Sequence, residues 1–307
     1  MAYQSIVWNE SPLFSIIVPA YHSGDTLSDT LKSIIGQTCQ RWELILCDDG
    51  TPDFNVLEME QQICTQLPDG CRATVLHQPQ NVGTVKNLNI GLRAAKGEWV
   101  MLLAADDVLA GTDVLESLSN IAHETANQWI VSRTELRDEQ LGRIGKYSPL
   151  DIENLKNSSG NELYSRLCYG CLLPAGGSLF RRELLESIGG FDETYRLVED
   201  WPLFLKLVRS GIVPEFCAEI SVLHRDGGVS WTNAAQNQVY QKDLIETMHR
   251  EILPYLDRVP EKDRNLLQRR CEDKMAVYKY RFEEKGVGAR LKWLFQHGDV
   301  VIRKMME

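Results

Sequence analysis

The chain has 307 residues, with 33 Lys and Arg against 43 Asp and Glu, and its formal net charge is −10. Binding to nucleic acid depends on clustered positive charge, so this acidic balance excludes nucleic acid as an expected partner of the whole molecule. Hydrophobic residues make up 43% of the chain and charged residues 25%. That composition is typical of a globular protein with a substantial core, and it excludes disorder as the main state.

Membrane-spanning and secreted classes are disfavoured as well. No apolar run approaches the roughly 20 residues that a membrane span needs, and residues 1–21 contain neither the basic nor the apolar region of a signal peptide. We therefore expect a cytoplasmic protein that is at most peripheral at the inner membrane face. The eight cysteines are expected to be reduced thiols. Cys168 and Cys171 form a CxxC pair without the second pair that a zinc knuckle needs, which disfavours metal or redox chemistry there.

The first hundred residues alternate between two patterns. Short apolar, β-branched runs predict buried strands, and apolar residues at helical spacing predict the segments between them to be helices. The predicted strands cover 14–20, 42–47, 73–76 and 99–103, and the predicted helices cover 27–35, 56–67 and 85–95. This alternation indicates βαβ units around a parallel sheet, with ligands at the carboxyl ends of the strands.

Distinctive residues follow three of these strands. They are Pro19 and Tyr21 at the end of the first strand, Asp48 and Asp49 after the second, and Asp106 and Asp107 after the fourth. The glycine-rich phosphate motifs GxxxxGK[ST] and GxGxxG are missing, which disfavours P-loop NTPases and NAD enzymes. Paired carboxylates without a glycine cradle indicate instead that a divalent metal handles the diphosphate of a nucleotide.

The second half of the chain is less regular. Residues 133–170 are polar and are expected to form surface segments that line an acceptor site. A turn is predicted at 189–193, and Glu199 and Asp200 open a predicted helix that tolerates Pro202 in its first turn. Strands are predicted at 212–216 and 220–224, and the pattern is helical from about 240 to the end, with apolar residues on one side. Those residues are Leu244, Ile245, Met248, Ile252, Leu253 and Leu256.

Five motifs in a fixed order carry a resemblance that covers roughly residues 14–230. They are SIIVPAY (15–21), ELILCDDGTPD (43–53), NVGTVKNLNIGLRAAKGEWVMLLAADD (81–107), IGGFDETY (188–195) with ED (199–200), and HRDGGVS (224–230). This order resembles the GT-A fold glycosyltransferases of family 2, an inverting family that acts on nucleotide-activated sugars. The resemblance implies an α/β fold with a Rossmann-like mixed sheet flanked by helices, as in nucleotide-diphospho-sugar transferases, and a helical C-terminal extension. We expect a catalytic domain at 1–235, with a nucleotide-sugar half at 14–110 and an acceptor half at 111–235, and the extension at 236–307.

By resemblance, the nucleoside lies against the first two strand ends. Pro19 and Tyr21 border it, and Asp48 or Asp49 hydrogen-bonds the base. An ionised carboxylate only accepts hydrogen bonds, and a uracil ring offers one N–H donor between two carbonyls, so the chemistry fits. The alternative is that one carboxylate caps the following turn and only the other contacts ligand.

The resemblance also places Asn81, Gly83 and Lys86 near the nucleoside and ribose, with Lys86 where relatives often have Arg. Asn81 and Gly83 can equally be loop residues that need unusual backbone angles.

The metal is expected at the DxD element, where Ala104 stands in place of an Asp found in many relatives. Asp107 and diphosphate oxygens bind the ion, Mn²⁺ or Mg²⁺, while Asp106 reaches the ribose or a water. His224 supplies a further ligand by resemblance. In the alternative interpretation His224 is structural and Arg225 faces the phosphates.

The glycines that follow His224 are expected to form a flexible loop over the phosphates. Gly227, Gly228 and Ser230 belong to this loop, and an exposed turn is the alternative.

Asp200 is the expected catalytic base. In an inverting transfer the acceptor hydroxyl loses a proton as it attacks the anomeric carbon, and a positioned carboxylate can take that proton. Glu199 is expected to orient the acceptor or to raise the basicity of Asp200. The alternative is that both are ordinary acids of a first helical turn, stabilised by the helix dipole.

The resulting hypothesis is a metal-dependent inverting glycosyltransferase that transfers sugar from a nucleotide sugar, with UDP-sugar favoured, to a glycan or lipid-linked acceptor in surface polysaccharide biosynthesis. Its rivals are a catalytically silent sugar-nucleotide-binding or scaffold protein and, in a third class, a nucleotidyltransferase. Residues 289–306 combine basic and apolar side chains, which predicts either peripheral contact with an anionic membrane or packing and homodimer formation, the latter being favoured.

Overall fold

The computed structural model describes residues 11–24, 26–144, 152–227, 234–284 and 286–306. The strands are β1 Phe14–Ala20, β2 Trp42–Asp48, β3 Arg72–His77, β4 Trp99–Leu102, β5 Val108–Leu109, β6 Trp129–Arg137, β7 Ser178–Arg181 and β8 Glu215–Arg225. Within the described residues these eight strands form one mixed sheet in the order β3-β2-β1-β4-β7-β6-β8-β5.

The N-terminal half of the sheet is parallel, as predicted. Strand β1 pairs in parallel with both β2 and β4, and β2 pairs with β3. Ile17 of β1 belongs to one apolar cluster, whereas Ile16 and Val18 belong to another. Since successive side chains of a strand point to opposite faces, both faces of β1 are covered, which explains why its sequence is continuously apolar.

Helices cover the sheet. They are α1 Thr26–Ile35, α2 Val56–Cys64, α3 Thr84–Ala94, α4 Val114–Glu124, α5 Ile152–Lys156, α6 Gly160–Leu167, α7 Arg182–Ser187, α8 Asp200–Arg209, α9 Gln238–Thr247, α10 Glu261–Tyr278 and α11 Val287–Met306. Helix α3 packs closely because Gly91 faces the sheet, where an added Cβ would lie 2.7 Å from Ile17 Cγ2 and 2.8 Å from Cys47 Sγ. The predicted mixed α/β architecture is confirmed.

One predicted pair of strands is wrong. The runs at 212–216 and 220–224 are not two strands, because Glu215–Arg225 forms the single strand β8. Its parallel pairing with β6 shifts register between Val131 and Thr134. A local irregularity of this kind lets one strand continue through a break in the apolar pattern.

The segment after 237 is helical, as predicted. Met248 and Ile252 are buried in the same apolar cluster as Trp201 and Leu205 of α8. Between α9 and α10 lie a π-helical turn, Met248–Ile252, and a 3-10 segment, Leu253–Arg258. The domain boundaries at 14, 110 and 235 stay predictions. None of the described helices is long and apolar enough to cross a membrane.

Candidate active site

The carboxyl ends of the parallel strands bring the first two groups of predicted residues together. The register aligns Pro19 with Cys47 and Ala20 with Asp48. Pro19 is half-buried, and Tyr21, which follows the strand, is 48% exposed. An exposed aromatic ring beside a strand end can cover the face of a planar ligand, so the position of Tyr21 agrees with a place at the nucleoside.

Asp48 is held by three donors from its own surroundings. Its Oδ2 accepts hydrogen bonds from the N–H groups of Gly50 at 3.1 Å and Thr51 at 2.9 Å, and it lies 2.8 Å from His77 Nδ1. The imidazole of His77 in turn stacks on Phe54, with ring centroids 5.5 Å apart. Asp48 therefore caps the turn that follows β2, which is one of the two roles considered for this pair.

Asp49 fixes a different segment, the entry to helix α3. Its two carboxylate oxygens accept hydrogen bonds from Val82 N at 2.7 Å and Gly83 N at 2.9 Å. Burial raises the pKa of this carboxyl, while the two N–H donors and Arg196 act in the opposite direction. Both acids of the pair thus shape backbone at the sheet edge, and contact between either of them and a base stays a prediction.

The predicted nucleoside loop is closed by Arg196, a residue that the sequence interpretation missed. The Arg196 guanidinium donates to Asn81 Oδ1 at 2.6 Å and Asn81 O at 3.1 Å. Gly83 has φ +95°, and an added Cβ would lie 2.5 Å from Arg196 Cγ, so the expectation of unusual backbone geometry is confirmed at this glycine. Lys86 lies exposed in the first turn of α3.

The DxD region forms the second part of the site. Asp107 is buried, and its Oδ1 accepts from Arg225 N at 3.0 Å and lies 3.0 Å from His224 Nδ1. Burial raises the pKa of Asp106, and the neighbouring charge of Asp107 adds to this. Burial lowers the pKa of His224. The hydrogen bond to Asp107 and the negative charges of Asp107, Asp106 and Asp226 outweigh this effect, so the net shift of the His224 pKa is upward.

The alternative in which Arg225 faces the phosphates stays a prediction, and the Arg225 side chain is held by protein groups in this structure. The Arg225 guanidinium donates to Asp106 O at 2.9 Å, to Asp29 Oδ2 at 2.9 Å and to Glu139 O. Arg225 is 7% exposed, so its side chain stabilises the turn at Asp106 and has little surface left for a ligand. Gly227 has φ +117°, whereas Gly228 and Ser230 of the predicted phosphate loop lie outside the described residues.

The metal hypothesis can be tested against this donor set. Among the described residues, no group of three or more His, Cys, Asp and Glu side chains is arranged to hold a metal ion by itself. Two adjacent carboxylates are present at Asp106 and Asp107, and hard divalent cations complete their shell with water or phosphate oxygens. A cation there would also offset the mutual repulsion that raises the Asp106 pKa. The residues therefore fit an ion shared with a diphosphate, while His224 Nδ1 is committed to Asp107.

The third part of the site is the acidic pair at the start of α8. The helix begins at Asp200 after Glu199, as predicted. Asp200 Oδ1 accepts from Trp201 N at 2.6 Å, and Asp200 Oδ2 accepts from the thiol of Cys171 at 3.2 Å. Burial raises the pKa of Glu199 to about 8, with the charge of Asp200 as the second cause. Burial also raises the pKa of Asp200, against the opposing hydrogen bonds of Cys171 and Trp201.

The raised pKa of Glu199 bears on its expected role. It favours the protonated carboxyl more than in an ordinary Glu, and a protonated carboxyl carries an O–H donor as well as acceptor oxygens. Nearby, burial and the charge of Asp200 raise the pKa of Tyr240 to about 12. Cys168 is buried and Cys171 is a free thiol, so the CxxC pair is not a disulfide.

The sequence analysis missed Arg196 and Asp243, and it named Cys171 without its contact with Asp200. Arg196 lies between the motifs at 188–195 and 199–200, and this position is the feature of the sequence that could have indicated a role in the site. Asp243 accepts hydrogen bonds from backbone groups 45 to 47 residues away, and no local pattern indicates such a partner.

Comparisons with known proteins give a family and several relatives for this chain. The family model described as Glycosyl transferase family 2 matches residues 15–189. An uncharacterized glycosyltransferase of Rickettsia typhi is 28% identical over 243 residues, which cover 76% of this chain and 70% of the relative. A PGL/p-HBAD biosynthesis glycosyltransferase of Mycobacterium bovis is 28% identical over 192 residues, which cover 62% and 68%.

Two solved structures share the fold. TarS 1–349 of S. aureus has a TM-score of 0.60 at 16% identity, with 93% of this chain and 91% of that chain covered; it has also been solved in complex with UDP-GlcNAc. The mannosyltransferase PcManGT from Pyrobaculum calidifontis, in complex with GDP-Man and Mn²⁺, has a TM-score of 0.60 at 16% identity, with 95% and 81% covered. The predicted GT-A fold is confirmed.

Proposed function

The chain belongs to glycosyl transferase family 2, and from this premise we propose that it is a metal-dependent inverting enzyme that moves a sugar from a nucleotide sugar to an acceptor hydroxyl. The observation that carries the proposal is the half-buried pair Glu199 and Asp200 at the start of α8, with the Asp200 carboxylate held by Trp201 N and the Cys171 thiol. An ordinary first-turn acid on a fully exposed surface would not have a thiol partner.

Asp200 acts as the base. As an acceptor oxygen attacks the anomeric carbon, its proton passes to the Asp200 carboxylate and the bond from the anomeric carbon to the diphosphate oxygen breaks. The electron pair of that bond leaves with the nucleoside diphosphate, and configuration inverts because attack comes from the opposite face. General base catalysis of this kind typically contributes roughly 10²- to 10⁴-fold.

Glu199 and Tyr240 are proposed to orient the acceptor. The neutral Glu199 carboxyl donates a hydrogen bond without adding a second negative charge next to Asp200. With a raised pKa, the Tyr240 hydroxyl keeps its proton throughout the neutral range.

The donor is proposed to lie across the strand ends, with its nucleoside near Tyr21 and the loop 81–83. Asp107 and Asp106 would hold the divalent ion, which when bound neutralises charge developing on the departing diphosphate. Both a UDP-sugar and GDP-Man occur in the solved structures of this fold. We favour a UDP-sugar because an ionised carboxylate at Asp48 or Asp49 can accept a hydrogen bond from the uracil N–H.

The acceptor is proposed to be a glycan or lipid-linked hydroxyl in surface polysaccharide biosynthesis. The name of the mycobacterial relative refers to biosynthesis of PGL/p-HBAD, in keeping with a glycoconjugate product. Helix α11 supports a partner surface, since Val287, Leu291 and Phe295 recur every four residues and are 76%, 52% and 92% exposed. A second copy of the chain or the inner membrane face are the two partners proposed for it.

A catalytically silent sugar-nucleotide-binding protein is the second candidate, favoured by one observation. Ala104 replaces an acid of the DxD element, and its carbonyl instead accepts from Asp107 N at 3.0 Å to close the turn. The retained pair of acids at α8 argues for turnover.

One experiment tests both candidates. Wild type and Asp200→Asn are screened for thermal shift with UDP-, GDP- and other nucleotide sugars in the presence of Mn²⁺, and for release of nucleoside diphosphate. Stabilisation of both proteins with release by wild type alone supports the proposal. Stabilisation without release by either protein, across a panel of glycan and lipid acceptors, supports the silent binder, and no stabilisation by any nucleotide sugar contradicts both.

A further inference from the structure

The segment that precedes the catalytic pair is anchored to the C-terminal helices by one side chain. Asp243 of α9 is 4% exposed. Its Oδ2 accepts hydrogen bonds from the N–H groups of Arg196 at 2.9 Å, Leu197 at 2.6 Å and Val198 at 3.2 Å. Three successive backbone donors on a single carboxylate oxygen fix the path of the chain immediately before Glu199.

The side chain of Arg196 extends from this anchored backbone to the nucleoside loop. Its guanidinium donates to Asn81 Oδ1 at 2.6 Å, to Asn81 O at 3.1 Å and to Val82 O at 3.4 Å. Its carbonyl accepts from Val85 N at 3.2 Å. Gly83 contacts the same side chain so closely that an added Cβ would overlap it. Three hydrogen bonds therefore tie Arg196 to the loop 81–83, and a fourth ties it to Val85 in the first turn of α3.

The contacts form one continuous path through the site. Asp49 holds the N–H groups of Val82 and Gly83, Arg196 holds the other side of the same loop, and Asp243 holds the backbone of Arg196. A nucleotide that packs on the loop restricts Arg196, and this restricts the residues leading into Asp200.

Building on the proposed function, we propose that Arg196 and Asp243 are positioning residues that couple occupancy of the donor site to the placement of Asp200. Binding that orders one segment lowers the entropic cost of ordering the segment tied to it. The base is then held in its working position when the donor is present.

Hydrogen exchange of the segment 196–198 tests the coupling, with UDP and Mn²⁺ as the probe and calorimetry to establish binding. In wild type the amides of this segment should exchange more slowly with saturating UDP, by about fivefold or more, the lower end of typical coupling between sites. In Arg196→Ala, UDP should still bind at saturating concentration, but the slowing should be lost. A purely structural contact would leave exchange independent of UDP.

The matched control is Arg250→Ala. Arg250 donates to Thr194 Oγ1 at 3.0 Å and Asp192 Oδ2 at 3.3 Å, on the turn before Arg196 and away from the loop 81–83. It should keep the UDP-dependent slowing. Asp243→Asn, which keeps the volume of the buried side chain, should speed exchange of the segment with or without UDP and lower kcat more than it raises the donor KM. Its thermal midpoint shows whether it is folded.

Two results distinguish a failure of the coupling from a failure of the proposed donor site. If UDP binds wild type but does not slow exchange, or if the slowing persists in Arg196→Ala, the coupling is overturned while the proposed function stands. If calorimetry detects binding of neither UDP nor GDP, the donor site itself is refuted and the coupling with it.

Discussion

The half-buried carboxyl of Glu199 should make the stability of the protein depend on pH in a specific direction. Its pKa lies at about 8 in the folded chain against the ordinary 4.5. Between these values the folded state binds more protons than the unfolded state, so the free energy of unfolding falls as pH rises. The stabilisation is fully present below pH 4.5 and is lost as pH passes about 8. Burial raises the Asp200 pKa too, which adds in the same direction.

The size of the effect follows from the shift. At about 1.4 kcal/mol per pKa unit, displacement from 4.5 to about 8 sets an upper limit of about 5 kcal/mol. Interaction with Asp200 and partial exposure reduce this, and we expect about 2 kcal/mol. Glu199→Gln cannot ionise, so it should be more stable than wild type at pH 8.5 by about that amount and nearly equal to it at pH 5.

Urea unfolding of the two proteins at pH 5, 6.5 and 8.5 measures this difference. Glu219→Gln, which removes an exposed acid from β8, should follow wild type at every pH. Parallel pH dependences in wild type and Glu199→Gln would refute the assignment of a raised pKa to Glu199.

Three further outcomes are expected. Asp200→Asn should reduce transfer by about 10²-fold or more while UDP binding, measured by calorimetry, stays within a few-fold, since the amide cannot take the proton; near-normal turnover would reject this base. Asp107→Ala should weaken UDP binding strongly with Mn²⁺ and little without it, and equal losses would make Asp107 structural. Cys171→Ala removes the donor that opposes the raised Asp200 pKa, so the acid limb of the pH–rate profile should move to higher pH, whereas Cys171→Ser and Cys64→Ala should leave it in place. An unmoved acid limb in Cys171→Ala would show that the thiol does not influence the pKa of the base.

The parts of the fold that were predictable are those set by local sequence. The strand at 14–20 is a continuous apolar run that ends after a proline, and the register of a parallel sheet then places the following loops at one edge. The start of α8 at Asp200 was predictable for the same reason, because an acid and an early proline mark a first helical turn.

The side-chain partners in the site were not predictable. The expected contact of Asp48 or Asp49 with the base stays a prediction, and what the sequence did not indicate is that both accept backbone hydrogen bonds, one from its own turn and one from a loop 33 and 34 residues ahead. Arg196 meets Asn81 across 115 residues. Pairings over such distances depend on the closed fold, and a single sequence carries no periodicity that encodes them. The prediction of two strands within 212–224 was wrong for a different reason. A register shift in β8 interrupts the alternation of side chains that marks a single strand.

Under the proposed function, the charges at the DxD turn would favour a metal ion even though Ala104 replaces an acid. Asp106 and Asp107 are adjacent, and the nearby Arg225 guanidinium is directed to Asp29 and to two backbone carbonyls. A diphosphate adds further negative charge at this edge, and each like-charge pair at 4 Å costs about 4 kcal/mol at an effective dielectric constant near 20. Since the described contacts of Arg225 commit its guanidinium to protein groups, a divalent ion is the simplest source of compensation even with Ala104 in the DxD element. Asp107→Ala should therefore weaken the binding of the diphosphate group. Binding of uridine, which lacks phosphate, should be nearly unchanged in that variant.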